Sequence, residues 1–152
     1  MVETNGRNFD LLTLGQVLLR LSPPDNERLS RGDTFVKQVG GAELNVAVGA
    51  ALLGLHTGVI SKLPAHDIGS FMKGKIRSFG VSDDFFMYDQ SPAARVGIYY
   101  YENGAYPRKP KVIYDRNHSS FFSLDIDEIP EEVYTASKCF HPTGITLALN
   151  ED

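Results

Sequence analysis

Apolar and polar positions along the chain change period several times, and each change marks an element. Residues 9–15, FDLLTLG, are a short apolar run closed by glycine and predict a core strand. VLLRLSPP, 17–24, continues extended until two prolines stop it, and NERLSRGD, 26–33, is a polar loop. TFVKQVGG, 34–41, alternates and predicts another strand. Residues 42–55 then carry Leu44, Ala47, Val48, Ala51, Leu52 and Leu55 at helical spacing. Apolar residues surround this segment, which predicts a deeply buried helix. HTGVISKLP, 56–64, is β-branched and predicts a second core strand. Asp67 is the expected N-cap of the next helix, with Ile68, Phe71, Met72, Ile76 and Phe79 on one face and Gly80 at the stop.

Further along, SDDFFMYD, 82–89, predicts a third core strand. ARVGIYYYENG and PKVIYDR predict two strands around a polar, proline-containing turn. LDIDEIPEEVYTASK opens with acids and Pro130, which suit a helix N-terminus. CFHPTGITLAL predicts one more strand and the opening of a helix. Strands near 9, 57, 84 and 138 alternate with helices, as in a parallel α/β sheet. Strands near 17, 34, 96 and 111 do not, and imply a small separate sheet inserted into the first. The last residues, TGITLALNED, leave a parallel sheet without a finished helix or closing strand, so an interrupted domain is expected.

Composition narrows the function classes. The chain has 152 residues, 42% hydrophobic and 22% charged, which allows a packed core. A net charge of −4 argues against nucleic acid as the main partner. No apolar run is long enough for a membrane, and MVETNGRNFD has no secretory pattern. The one cysteine, Cys139, excludes an internal disulfide and fits a reducing cytoplasm. Its setting, SKCFHPTG, predicts a buried, inert thiol.

Several motifs compete as the chemical centre. GSFMKGK, 69–75, matches the start of a phosphate-binding loop, but Ile76 stands where Ser or Thr should hold magnesium, and the stretch lies inside a predicted helix. The four histidines lack metal-ligand spacing. Asp83–Asp84 and Asp125–Asp127–Glu128 read as capping or solvated acids. Ser119 and Ser120 have no positioned His and Asp for a triad. No metal site is expected. Gly40 and Gly41 stand before a helix, where free N–H groups and a positive dipole end can meet a ligand. Asn45, a polar group in the apolar run, either grips that ligand or bonds a neighbouring strand. Tyr99 and Tyr101 share one strand face; Val112, Tyr114 and Arg116 share another. A Tyr/Arg face suits an acidic, hydroxyl-rich ligand. It is equally an ordinary surface strand if Arg116 pairs with Glu102 or Asp115.

GGAELNVAVGAALLGLHTGVISKL resembles the N-terminal signature of the ribokinase-like (PfkB) carbohydrate kinases. LLTLGQVLLRLSPP is similar to their first strand and its passage into a lid, and DIGSFMKGKIRSFGV to the helix that follows. RVGIYYYENG, VIYDRNHSS and FHPTGITLAL are most similar to 2-keto-3-deoxygluconate kinases. The resemblance implies an α/β, ribokinase-like fold: a mostly parallel sheet flanked by helices, with a small β-sheet lid at about 17–39 and 95–117. It implies that 1–152 is the N-terminal part of one kinase domain whose C-terminal half is absent. It implies ATP-dependent phosphorylation of a sugar acid, with Mg2+, in the complete enzyme. Gly40, Gly41 and Asn45 would hold the sugar. Tyr99, Tyr114 and Arg116 would bind from the lid, Arg116 at the carboxylate or keto end, and Ile145 would line the pocket.

The general base and most of the nucleotide site would lie in the missing half, so this chain would be inactive and bind no cofactor tightly. A non-catalytic sugar-acid-binding or lid-dimerisation remnant is the alternative, and a lid-to-lid homodimer is an expected partner. Two departures from the family pattern stand out: Gln16 where Glu is usual, and PAHDIG, 64–69, where GDDxxG is common.

Overall fold

The computed structural model describes residues 8–148. In chain order these form β1 (Phe9–Leu14), β2 (Leu18–Ser22), β3 (Val36–Gly40), α1 (Ala42–Leu52), β4 (Thr57–Pro64) and α2 (Asp67–Ser78). There follow β5 (Val81–Ser82), β6 (Phe86–Asp89), β7 (Gly97–Glu102), β8 (Lys111–Asp115), β9 (Ser137–Pro142) and α3 (Gly144–Leu147). The two strand populations separate as expected. The main sheet runs β5–β4–β1–β9, with β6 also on β4, and every pairing in it is parallel. The small sheet runs β3–β2–β7–β8. Its outer pairs are antiparallel, and its central pair, β2 with β7, is parallel.

The cores follow from these layers. The larger one holds Leu44 and Ala47 of α1, Met72 and Ile76 of α2, and Val59 and Leu63 of β4. Leu19 of β2, with Leu21, Val39 and Ile98, also packs into it, so one face of the small sheet is anchored to the main body. Period-two alternation leaves Leu18, Tyr99 and Tyr114 for the opposite face. A smaller core of Phe9, Leu12, Ile60 and Val133 covers the other side of the main sheet.

Five local expectations change. The segment 42–55 is not deeply buried: helix α1 ends at Leu52 and buries only Glu43, Leu44 and Ala47. Leu52 and Leu53 are 79% and 85% exposed, because α1 packs on β1 and β4 along one side only. The N-cap of α2 is His66, whose ring accepts the Ile68 N–H, rather than Asp67, which occupies the first helical turn. The acids and Pro130 open no α-helix. They form 3-10 turns at Ile126–Glu128 and Glu131–Tyr134, too short for the macrodipole to matter. Residues 82–89 are two short strands interrupted at Asp83–Phe85. Cys139 is exposed, because β9 is an edge strand of the main sheet among the described residues.

Two glycines of α2 make opposite demands. A Cβ on Gly69 would sit inside the radius of the Pro64 carbonyl oxygen, which is backbone and has nowhere to go. A Cβ on Gly74 would meet open space. Gly69→Ala is therefore expected to destabilise the chain by about 2 kcal/mol or more, and Gly74→Ala to stabilise it by about 0.5–1 kcal/mol through helix propensity. Urea unfolding of both variants checks this, and the same sign for the two would contradict the packing of α2.

Candidate functional site

The chain leaves β1 for β4 on one side and reaches β9 on the other. Beyond the C-terminal ends of β1 and β9 the sheet therefore has a switch in strand order, the usual place for a ligand in an open α/β sheet. A cavity of about 200 Å³ lies there. Gln16 reaches it from the end of β1, and Gly41, Ala42, Glu43 and Asn45 from the start of α1. Leu18, Tyr99, Tyr114 and Arg116 enter from the small sheet, and Ile145 from α3.

Six of the residues singled out in the sequence thus meet in one place: Gly41, Asn45, Tyr99, Tyr114, Arg116 and Ile145. Gly40 lies just behind them, buried, where a Cβ would collide with the Tyr99 hydroxyl. Asn45 is exposed and bonds no neighbouring strand through its side chain among the described residues, so its amide is available to the cavity. Gly41 is the N-cap of α1 with φ 146°, and a Cβ there would lie 2.7 Å from the Gln16 carbonyl oxygen. Only glycine fits that backbone and that approach. It carries no capping side chain, which leaves first-turn N–H groups of α1 at the cavity edge.

The Tyr/Arg face is built by strand register. Tyr99 and Tyr114 are cross-strand partners with ring centroids 6.0 Å apart. Arg116 follows Tyr114 by two, and its guanidinium lies 5.9 Å from the Tyr114 ring. Neither carboxylate that could have neutralised it does so. Glu102 pairs with Arg108 at 2.7 Å, and Asp115 with Arg95 at 2.8 Å. Burial pushes the Tyr99 phenol up, with the positive charge of Arg20 only partly opposing, so its hydroxyl stays a donor at neutral pH.

Three neighbours went unnoticed as site residues. Glu43 is buried in the first turn of α1 and accepts from the Thr143 N–H at 3.2 Å and from the Thr143 and Thr146 hydroxyls at 2.5 Å each. Burial pushes its carboxyl up, but the hydrogen bonds from Thr143 and Thr146 outweigh this and hold it below the ordinary value. An acid inside an otherwise apolar helix was the available signal. Gln16 donates to the Ser119 hydroxyl at 2.6 Å, a contact across the chain that leaves no local signal in the sequence. The GSFMKGK stretch lies within α2, away from this cavity.

The sequence pattern of the pfkB family carbohydrate kinases matches residues 8–152. The chain belongs to that family. Among similar proteins of this pfkB family is the 2-dehydro-3-deoxygalactonokinase of Haloferax volcanii, 37% identical over 142 residues, which are 93% of this chain and 44% of that protein. The 5-dehydro-2-deoxygluconokinase 1 of Bacillus cereus is 30% identical over 149 residues, 97% of this chain and 44% of its own. The crystal structure of the 2-dehydro-3-deoxygluconokinase of Thermotoga maritima superposes with a TM-score of 0.87 at 38% identity, covering 94% of this chain and 43% of that one. The ribokinase-like α/β fold is therefore shown, and the chain spans about half the length of the relatives it matches.

Among the described residues, no group of three His, Cys, Asp or Glu side chains could hold a metal ion. Glu43, the carboxylate at the cavity, is occupied by threonine donors. The residues here do not fit magnesium. No helix among the described residues is long and apolar enough to cross a membrane.

Because the folded pKa of Glu43 is lowered, its contribution to stability is complete above the ordinary value of 4.5 and is lost as the pH falls through the lowered value. Glu43→Gln is expected to cost about 1–3 kcal/mol at about pH 7 and progressively less as the pH falls below 4.5. Urea titrations of both proteins across that range check it. A gap that does not change with pH would show that the charge is irrelevant.

Proposed function

We propose that this chain carries the sugar-binding side of an ATP-dependent sugar-acid kinase and that its ligand is 2-keto-3-deoxygluconate or a close sugar acid. One observation carries the reading: Arg116, free of any carboxylate partner among the described residues, faces a cavity shared with Tyr99, Tyr114 and the start of α1. A guanidinium can grip a carboxylate through two parallel bonds. The two phenols supply donors and stacking surface, while the Asn45 amide and the N–H groups of α1 suit hydroxyls and a keto oxygen. Ile145 closes the apolar side. The names of the relatives, all kinases of deoxy sugar acids or closely related sugars, support the same ligand class.

Phosphoryl transfer needs a base at the accepting hydroxyl and charge stabilisation around the transferred group. The cavity offers no carboxylate free to act as that base, since Glu43 is held by Thr143 and Thr146. We infer that residues 1–152 are the N-terminal part of one kinase domain, with the small sheet as its lid. The base, the ATP site and the magnesium ligands would belong to the half of the domain matched in the relatives beyond this span. By itself the chain would bind sugar acid and transfer no phosphate. A lid-to-lid homodimer is also proposed, supported by the exposed Phe35, Val36, Val112 and Ile113 on the outer strands of the small sheet and the segment leading into them. Its acidic charge and single cysteine suit a cytoplasmic, small-molecule role.

Isothermal titration of the purified chain with 2-keto-3-deoxygluconate tests the ligand. Arg116→Ala is expected to weaken binding by about a hundredfold and Arg116→Lys by about tenfold, since a point charge loses the paired geometry. An ATP-coupled assay is expected to show no turnover. Binding unaffected by Arg116→Ala, or turnover by the chain alone, would overturn the respective half of this reading.

A further inference from the structure

A second cavity, of about 450 Å³, lies at the other end of the small sheet and shares no lining residue with the cavity at the start of α1. It opens between the loop from β2 to β3 and the loop from β7 to β8. Both loops are held in shape. The Arg31 N–H donates to the Arg28 carbonyl at 3.0 Å, closing a tight turn, and Ala105 and Arg108 exchange backbone bonds at 3.0 and 2.7 Å. Glu102, buried at the end of β7, joins the two loops. Its carboxylate accepts from the Leu29 N–H at 2.8 Å and from the Arg108 guanidinium at 2.7 Å. Arg108 also donates to the carbonyls of Asn26 and Asn103, and the Asn103 amide donates to the Asp25 carbonyl at 3.0 Å. A buried carboxylate is costly without such donors, so the walls are fixed before any ligand arrives.

The charges on these walls are unequal. Three guanidiniums line the cavity, and Glu102 answers only that of Arg108. Arg28 and Arg31 are exposed and form no ion pair or side-chain hydrogen bond among the described residues, although Asp25, Glu27 and Asp33 stand close in sequence. Glu27, the one acid in the lining, has its carboxylate against Gly32, where a Cβ would collide with it. Two uncommitted cations on fixed loops, in a chain of net charge −4, suit an anion.

We propose that this cavity is a second binding site, for a small phosphate-bearing molecule held between Arg28 and Arg31. A phosphate group presents three oxygens in a tetrahedron, enough for a contact with each guanidinium, whereas a carboxylate presents two in a plane and carries one charge. The volume suits a sugar phosphate, and also free phosphate with its water. The ligand braces the two loops against each other, so its binding free energy adds to the stability of the sheet. The site is independent of the ligand assigned to the first cavity.

Nitrogen-15 amide shifts of the 152-residue chain test it, because they keep the two cavities apart. The probes are inorganic phosphate, 6-phosphogluconate and gluconate, the last having the same carbon chain without phosphate. The amides of Arg28, Arg31, Ala105 and Arg108 are expected to respond to 6-phosphogluconate with an affinity at least about tenfold higher than to gluconate. Inorganic phosphate acting as well as 6-phosphogluconate would name free phosphate as the ligand, and a weaker response would name a sugar phosphate. Replacing Arg28 and Arg31 together by Ala should weaken this response by about tenfold or more and cancel the rise that the phosphate probe gives in the urea midpoint. Unfolding without ligand should change little, since both side chains are exposed. Arg116→Ala should leave the response at these four amides as it is. No response to either phosphate, equal affinity for gluconate, a response that survives the double substitution, or one that is lost in Arg116→Ala would overturn the site.

Discussion

The carboxylate of Glu43 is the interaction on which the rest of the site depends. A charge in the first turn of a helix, out of water, is costly unless donors surround it. Here they come from Thr143 and Thr146, at the far end of the sequence, while the same side chain fills the space above Gly15. One group thereby fixes the end of β1, the start of α1 and the junction of β9 with α3. Those three places supply Gln16, Asn45 and Ile145 to the cavity. The favourable position of an acid near the helix N-terminus adds to its hold.

Arg116 arrives on the small sheet, and strand period decides where it points. Leu19, Leu21, Val39 and Ile98 pin one face to the main core. The alternate positions then have no choice but the cavity side, and Tyr99, Tyr114 and Arg116 follow. The one carboxylate next to Arg116 in sequence, Asp115, pairs with Arg95, while Glu102 pairs with Arg108 at the far end of β7 and β8. Specificity is therefore arranged as much by which pairs form around the site as by the residues in it. With Asp115 held by Arg95, no carboxylate among the described residues pairs with Arg116.

Most of this architecture was legible in the chain, because the signals were periodic. Seven-residue apolar runs, the helical face from Ile68 to Phe79, and the alternation around Tyr99 and Tyr114 each have a single physical solution. What was illegible depended on partners. Apolar residues around α1 read as deep burial, but burial needs a covering layer, and Leu52 and Leu53 have none among the described residues. The apolar neighbours of Cys139 predict a core position, whereas strand order among the described residues puts β9 at an edge. The acids before Pro130 cap turns too short to continue as a helix. Asn45 could be read two ways until the fold showed no strand beside its amide. Gln16 and Glu43 were in plain view, but a hydrogen bond to residue 116 or 143 leaves no trace in local spacing.

The parallel pairing of β2 with β7 gives the small sheet an unusual construction. Leu18 lies opposite Gly97, and between them the chain builds α1, β4, α2, β5 and β6. The sheet is a splice of two hairpins, one inserted between β1 and α1 and one between β6 and β9. Its four strands cannot be excised as a single segment, nor can they form before the body has closed the long loop between them. In topological terms the roof of the cavity is threaded through its floor. A ligand held between Tyr99 and the start of α1 would tie the two hairpins across that seam, so occupancy and the integrity of the splice are one equilibrium.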